Sequence, residues 1–173
     1  MTDLSLLRSR IRDIADFPKP GVTFKDLTPL LRDASSLGLT LDLLTEPWRN
    51  QGITVIAGIE ARGFLLAPLV AERLGVGMVP LRKPGKLPWR TVAETYDLEY
   101  GTDTLEIHED AVTSADRVLL IDDVLATGGT AGAGIRLLRR VGAEVAGCAF
   151  VIELRFLAGR GLLDAPVTSV LEY

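Results

Sequence analysis

The stretch VLLIDDVLATGGT, residues 118–130, decides how the rest of the chain is read. It opens as a continuous apolar run, the pattern of a strand buried on both faces of a parallel sheet. Asp122 and Asp123 stand at the carboxyl end of that run, where ligands bind in open α/β sheets. Adjacent carboxylates repel each other and have little packing use there, but they can accept hydrogen bonds from a vicinal diol. Ala126, Thr127, Gly128, Gly129 and Thr130 follow, leading into a helical pattern over residues 131–141. Glycines let backbone N–H groups approach a phosphate, threonine hydroxyls add donors, and a helix N-terminus favours negative charge. A diol reader beside a phosphate cradle describes a ribose 5-phosphate site. Two other phosphate motifs fail here. A Walker loop needs Gly-Lys-Ser/Thr, and Gly129-Thr130 has no lysine. Gly132 and Gly134 begin a dinucleotide fingerprint, but Leu137 holds its third glycine position.

Working outward, the same strand–loop–helix alternation recurs. ITVIAG at 53–58 leads through Glu60, Ala61, Arg62 and Gly63 into an apolar helix closing at Leu74-Gly75. VGMVPL (76–81), RVLLID (117–122) and EVAGCAFVIEL (144–154) read as buried strands. Apolar strands alternating with helices give an α/β class: a Rossmann-like parallel sheet flanked by helices. Residues 82–110 differ, being basic and proline-rich at first. The run TVAETYDLEYGTDTLEIHED then predicts a two-stranded excursion with its turn near Gly101-Thr102. Toward the N-terminus, Leu4, Leu7, Ile11 and Ile14 predict one apolar stripe on a helix. In FPKPGVTFKDLTPLL (17–31), Pro18, Pro20 and Gly21 break regular structure, which predicts a loop around Phe24. Thr28 reads as a helix N-cap with Pro29 in first helical position. A helix with Leu37, Leu41, Leu44 and Trp48 on one side is expected next. No repeat or linker divides the chain, so residues 1–173 are read as one domain.

Composition bounds the function. At 173 residues, 47% hydrophobic and 24% charged, the chain has an ordinary globular make-up, which excludes a disordered, collagen-like or coiled-coil protein. One cysteine, Cys148, excludes an internal disulfide framework. With 19 basic against 23 acidic residues the net charge is −4, so no nucleic-acid footprint and no nucleic-acid partner is expected. The longest apolar stretches, 63–71 and 145–152, fall far short of the roughly 20 residues of a spanning helix. The first residues lack the apolar core of a signal peptide. A cytoplasmic protein with no membrane partner is the expectation. His108 is read as a surface residue and Cys148 as a mid-strand core residue.

IDDVLATGGT (121–130) resembles the phosphoribosyl-diphosphate signature of the type I phosphoribosyltransferases. FPKPGVTFKDLTPLL, GIEARGF (58–64), RKPGKLP (82–88) and ETYDLEYGTDTLEIHEDA (94–111) extend the likeness over essentially the whole chain, to the adenine-specific branch of that family. The resemblance implies transfer of a 5-phosphoribosyl group from 5-phosphoribosyl 1-diphosphate to adenine, giving AMP and diphosphate in purine salvage. It implies Mg²⁺ held mainly through substrate and water, with no direct protein cage. A homodimer is implied too, with the loop at Arg82 entering the partner's site. Residues 1–33 would form a hood, and 82–110 a flexible loop with the two-stranded excursion.

Residue by residue, the resemblance gives Asp122, Asp123, Ala126, Thr127, Gly128, Gly129 and Thr130 to the ribose 5-phosphate. Glu60, Ala61, Arg62 and Gly63 match the family's diphosphate loop, with a cis peptide between Glu60 and Ala61. Arg82, Lys83 and Lys86 match its basic loop. Thr23, Phe24, Lys25 and Val124 match positions around the adenine ring. Glu99 and Tyr100 match the acidic and aromatic residues of the hood, Glu99 exchanging a proton with the base. Lys25 stands where an arginine is common, so a forked side-chain contact is not carried over. Rival readings are a 6-oxopurine transferase, a non-catalytic sensor that binds nucleic acid, and a diphosphokinase. The absence of lysine after Glu153 weighs against the first. The acidic balance weighs against the second, and the missing ATP motif against the third.

Overall fold

The structure is a computed structural model that describes residues 3–97 and 101–173. It divides into two compact units, Met1–Leu43 and Leu44–Tyr173.

In the first unit, helix α1 (Asp3–Ser9) is shorter than the leucine spacing predicts. Ile14 lies instead on strand β1 (Arg12–Ile14), which pairs antiparallel with β2 (Phe24–Asp26) through Arg12↔Asp26, Asp13↔Lys25 and Ile14↔Phe24. Phe24 is therefore on a strand rather than in a loop: the prolines confine irregular backbone to the turn before it. Phe17 meets Phe24 edge-on, with ring centroids 5.2 Å apart. Helix α2 (Thr28–Arg32) starts one residue early, with Thr28 inside it. Asp26 takes the capping role expected of Thr28, accepting from the Thr28 N–H and hydroxyl at 2.9 Å each. Helix α3 (Ala34–Thr45) leads from the first unit into the second, and a 3-10 turn at Glu46–Trp48 follows it. Pro47 has no N–H to continue the α-helical ladder.

The second unit is built on a five-stranded sheet. Its strands are β3 (Val55–Ile59), β4 (Gly77–Leu81), β7 (Arg117–Leu125), β8 (Glu144–Glu153) and β9 (Val167–Glu172), in the order β4-β3-β7-β8-β9. Every pairing is parallel. Helices α4 (Gly63–Leu74) and α5 (Gly129–Arg140) pack on this sheet. Side chains of a strand alternate between faces. Val118 and Leu120 accordingly join one buried cluster with Ile135, Leu137 and Leu138 of α5, while the equally buried Leu119 and Ile121 lie outside it. β7 runs three residues past the expected Asp122, because Asp122, Val124 and Leu125 pair with Phe150, Ile152 and Glu153 of β8. The acidic pair thus sits within the strand's last turns of pleat rather than beyond its end.

Strands β5 (Thr91–Asp97) and β6 (Thr102–His108) form a separate antiparallel pair in register Asp97↔Thr102. Leu105 and Ile107 fill the same cluster as α5. Thr102 is already strand, and Gly101 lies in the turn with φ of 89°. β9 and the 3-10 turns at Arg155–Leu157 and Gly159–Leu162 were not foreshadowed by the sequence pattern. Cys148 is fully buried on β8, which pushes its thiol up to about 12. His108 is half-buried and accepts the Trp89 N–H at 3.4 Å. No helix among the described residues is long and apolar enough to cross a membrane.

Candidate active site

From β3 the chain goes first to β4 on one side and later to β7 on the other, so the topological switch point lies between β3 and β7. In open α/β sheets that crevice is where ligands bind. The loop after β3 carries Glu60, Ala61, Arg62 and Gly63, and the end of β7 carries Asp122 and Asp123. Arg62 Nε donates to the buried Asp123 carboxylate, which draws the expected diphosphate loop and diol reader together. The Asp123 N–H donates to Asp122 Oδ1 at 2.9 Å. Burial, and then the charge of Asp123, push the Asp122 carboxyl well above the usual carboxylate range. A carboxyl that keeps its proton to higher pH can donate to a sugar oxygen while its neighbour accepts. The Glu60–Ala61 peptide is cis, as the resemblance implies.

Glu60 gathers the basic loop. Its carboxylate accepts from Lys86 Nζ at 2.6 Å, from the Lys83 N–H at 2.9 Å and from Arg82 Nε at 3.3 Å. Burial alone would raise its pKa, but those three partners hold it down at about 2. Arg82 also donates Nη1 to the Lys86 carbonyl at 3.1 Å and lies 5.8 Å from the Phe64 ring centroid. Within one chain, then, Arg82 and Lys86 share one carboxylate. The Lys83 side chain goes elsewhere, to Asp103 and to the Tyr96 hydroxyl at 3.1 Å.

The cradle follows β7. Gly128 is left-handed, with φ of 85°, and caps α5. Its carbonyl accepts from the Gly132 N–H at 2.8 Å. A Cβ on Gly128 would run into the Gly159 carbonyl oxygen, and one on Gly159 would stand 2.7 Å from Gly128 N. Neither position can hold a side chain without moving the loop. Thr127 is exposed, and Thr130 Oγ1 donates to the Tyr96 hydroxyl at 3.2 Å. A cavity of about 290 Å³ opens beside Gly128, Gly129, Tyr96 and Arg136.

The residues expected around a base fall in both units. In the first unit, Thr23 is exposed, Phe24 half-buried against Phe17, and Lys25 Nζ donates to the Asp13 carboxylate at 2.7 and 2.9 Å. In the second, Val124 is half-buried near the end of β7. Glu99 and Tyr100 lie outside the described residues.

The family model for the phosphoribosyl transferase domain matches residues 39–172. An adenine phosphoribosyltransferase of Parafrankia sp. is 57% identical over 171 residues, covering 97% of this chain and 92% of its relative. The chain belongs to the adenine phosphoribosyltransferase family. Solved structures of the family agree. The Rhodothermus marinus adenine phosphoribosyltransferase superposes with a TM-score of 0.94 at 53% identity, covering 99% of this chain and 98% of that one. The Saccharomyces cerevisiae enzyme, solved with adenine and an imino-altritol bisphosphate, gives 0.93 at 38% identity and 98% coverage of each chain.

Four residues near this family's signature loops were missed by the sequence reading: Glu94, Tyr96, Asp103 and Gly159. On β5, Glu94 and Tyr96 are two apart and both buried, so both point inward. A carboxylate at an inward strand position needs a cation, and α5 supplies two, four residues apart. Arg136 Nε donates to Glu94 at 2.7 Å and Arg140 to its other oxygen, and Arg136 leads in holding that carboxyl below its usual range. The spacing of Arg136 and Arg140 opposite an inward Glu94 was the readable signal.

Proposed function

We propose that this chain transfers the 5-phosphoribosyl group of 5-phosphoribosyl 1-diphosphate to adenine, releasing AMP and diphosphate, as a purine-salvage enzyme of the cytoplasm. The observation that carries the reading is the β7 strand end. Asp122 and Asp123 lie near the end of β7, shortly before the Gly128-capped N-terminus of α5, with Arg62 drawn onto Asp123 from the loop after β3. Named relatives across the family and the adenine complex of the yeast enzyme support the choice of base.

The chemistry follows from charge. Breaking the ribose C1–O bond leaves a polyanion on one side and a cationic sugar on the other. Asp122 and Asp123 hold the 2- and 3-hydroxyls and lie near the developing positive charge. The amides of Ala126–Thr130 hold the 5-phosphate. Arg62 and Lys86 meet the departing diphosphate. Adenine N9 attacks from the opposite face and inverts the anomeric carbon, with Val124 beside the ring and Glu99 exchanging a proton with its imidazole edge. Asp122 and Asp123 would orient the ribose hydroxyls, and Mg²⁺ would be held mainly through substrate oxygens and water. The chemistry such an ion would supply when bound is positive charge against the departing diphosphate, beside Arg62 and Lys86.

The working form is a two-fold homodimer in which the loop at Arg82 reaches the partner's site. Sedimentation at assay concentration should give a dimer; a fully active monomer contradicts this. The reaction is tested by incubating the chain with adenine, 5-phosphoribosyl 1-diphosphate and Mg²⁺. AMP and diphosphate should appear in equal amounts, and diphosphate release without AMP contradicts the reading.

A further inference from the structure

The Tyr96 hydroxyl is buried and fully engaged. It accepts from Lys83 Nζ at 3.1 Å and from Thr130 Oγ1 at 3.2 Å, and donates to Asp103 Oδ2 at 3.2 Å. A phenol offers one proton and two lone pairs, so nothing is left over. Lys83 also pairs with Asp103 directly and lies 5.6 Å from the Tyr96 ring centroid. Desolvation works against both charges. Even so, Asp103 and Tyr96 raise the Lys83 pKa, and Lys83 leads in lowering that of Asp103. The pair stays ionised against a phenol that touches the cradle.

Thr130 has a single proton, which it gives to Tyr96. A phosphate dianion in the cradle has no proton to give, so Thr130 must donate to it. The Thr130 oxygen then needs a donor, and Tyr96 O–H is already in reach at 3.2 Å. Swinging its proton from Asp103 to Thr130 leaves no group unmatched, because Lys83 keeps Asp103 satisfied.

We propose that Tyr96 is a positioning residue for the 5-phosphate, orienting the Thr130 hydroxyl by a proton that Lys83 frees from Asp103. It rests on the cradle reading of residues 126–130 above. It links the basic loop to the cradle through the hairpin.

Calorimetric titration of the full chain with ribose 5-phosphate tests it, alongside steady-state kinetics. Tyr96→Phe keeps the ring and should weaken ribose 5-phosphate about fivefold, the effect of one neutral hydrogen bond. It should raise KM for 5-phosphoribosyl 1-diphosphate by a similar factor, with kcat and KM for adenine unchanged. Tyr96→Phe added to Thr130→Val should weaken binding no further than Thr130→Val alone. Asp103→Asn is a poorer competitor for the Tyr96 proton, so it should bind ribose 5-phosphate at least as tightly as the wild type. Thr130→Ser keeps the hydroxyl and should restore binding. Wild-type affinity in Tyr96→Phe, simple additivity with Thr130→Val, or equal weakening in Asp103→Asn would each overturn the proposal. If Thr130→Val leaves ribose 5-phosphate binding intact, the cradle reading itself falls with it.

Discussion

Asp122 and Glu60 are carboxylates a few residues from the same crevice whose environments push them in opposite directions. Burial and the neighbouring Asp123 raise Asp122, so the folded chain holds a proton there that the unfolded chain has released. Stability is therefore drawn down as pH rises above the ordinary value of 3.8. Asp122→Asn should be more thermostable than the wild type at neutral pH, with the gain fading toward pH 4. Glu60 is held at about 2 against an ordinary 4.5, so its contribution is full above 4.5 and is lost as pH falls through about 2. Glu60→Gln should destabilise at neutral pH and converge on the wild type in acid. Melting curves across pH check both, and a same-signed response would refute the assignment. Glu99 belongs to this scale as well. If it exchanges a proton with the base, Glu99→Gln should lower turnover by roughly 10²–10⁴ while leaving 5-phosphoribosyl 1-diphosphate binding near normal. Asp123→Asn should differ by weakening sugar binding as well as rate. Normal turnover in Glu99→Gln would remove it from the mechanism.

Among the elements, the cradle depends on a residue it does not contain. Gly159 opens the 3-10 turn that packs against Ala126 and Gly128. Gly159→Ala puts a methyl into backbone on both sides, and should cost about 2–4 kcal/mol of stability and weaken ribose 5-phosphate binding. Thermal unfolding and titration read this, and wild-type behaviour in both would show that the loop has room. This dependence was illegible because RFLAGRGLLD (155–164) carries glycines and arginines with no periodic pattern, and its role is a contact across many residues. β9 was hidden for a related reason. VTSVLE alternates poorly and is mostly half-buried, as suits an edge strand. The strands flanking the site were legible as continuous apolar runs, since both faces are covered. At the N-terminus the leucine spacing overstated α1, because Ile14 finds its partner across a strand pair with Phe24 rather than along a helix.

For the whole molecule, the sheet order puts the loop at residues 60–63 and the acidic pair where the chain reverses direction across the sheet. The sugar and phosphate side of the proposed site rests on the signature 121–130, where strand end, carboxylates and glycines coincide within ten residues. The base side rests on FPKPGVTFKD, where backbone groups rather than side chains are expected to read the ring, and such groups leave no imprint on residue identity. A 6-amino edge can be matched by backbone carbonyls and amides, whereas a 6-oxo edge would leave a buried group unpaired. The decisive measurement is initial rate with adenine, hypoxanthine, guanine and xanthine in turn, each with 5-phosphoribosyl 1-diphosphate and Mg²⁺. Adenine should exceed every 6-oxopurine in kcat/KM by at least about a hundredfold. Comparable turnover of hypoxanthine, or none with adenine, would contradict the account.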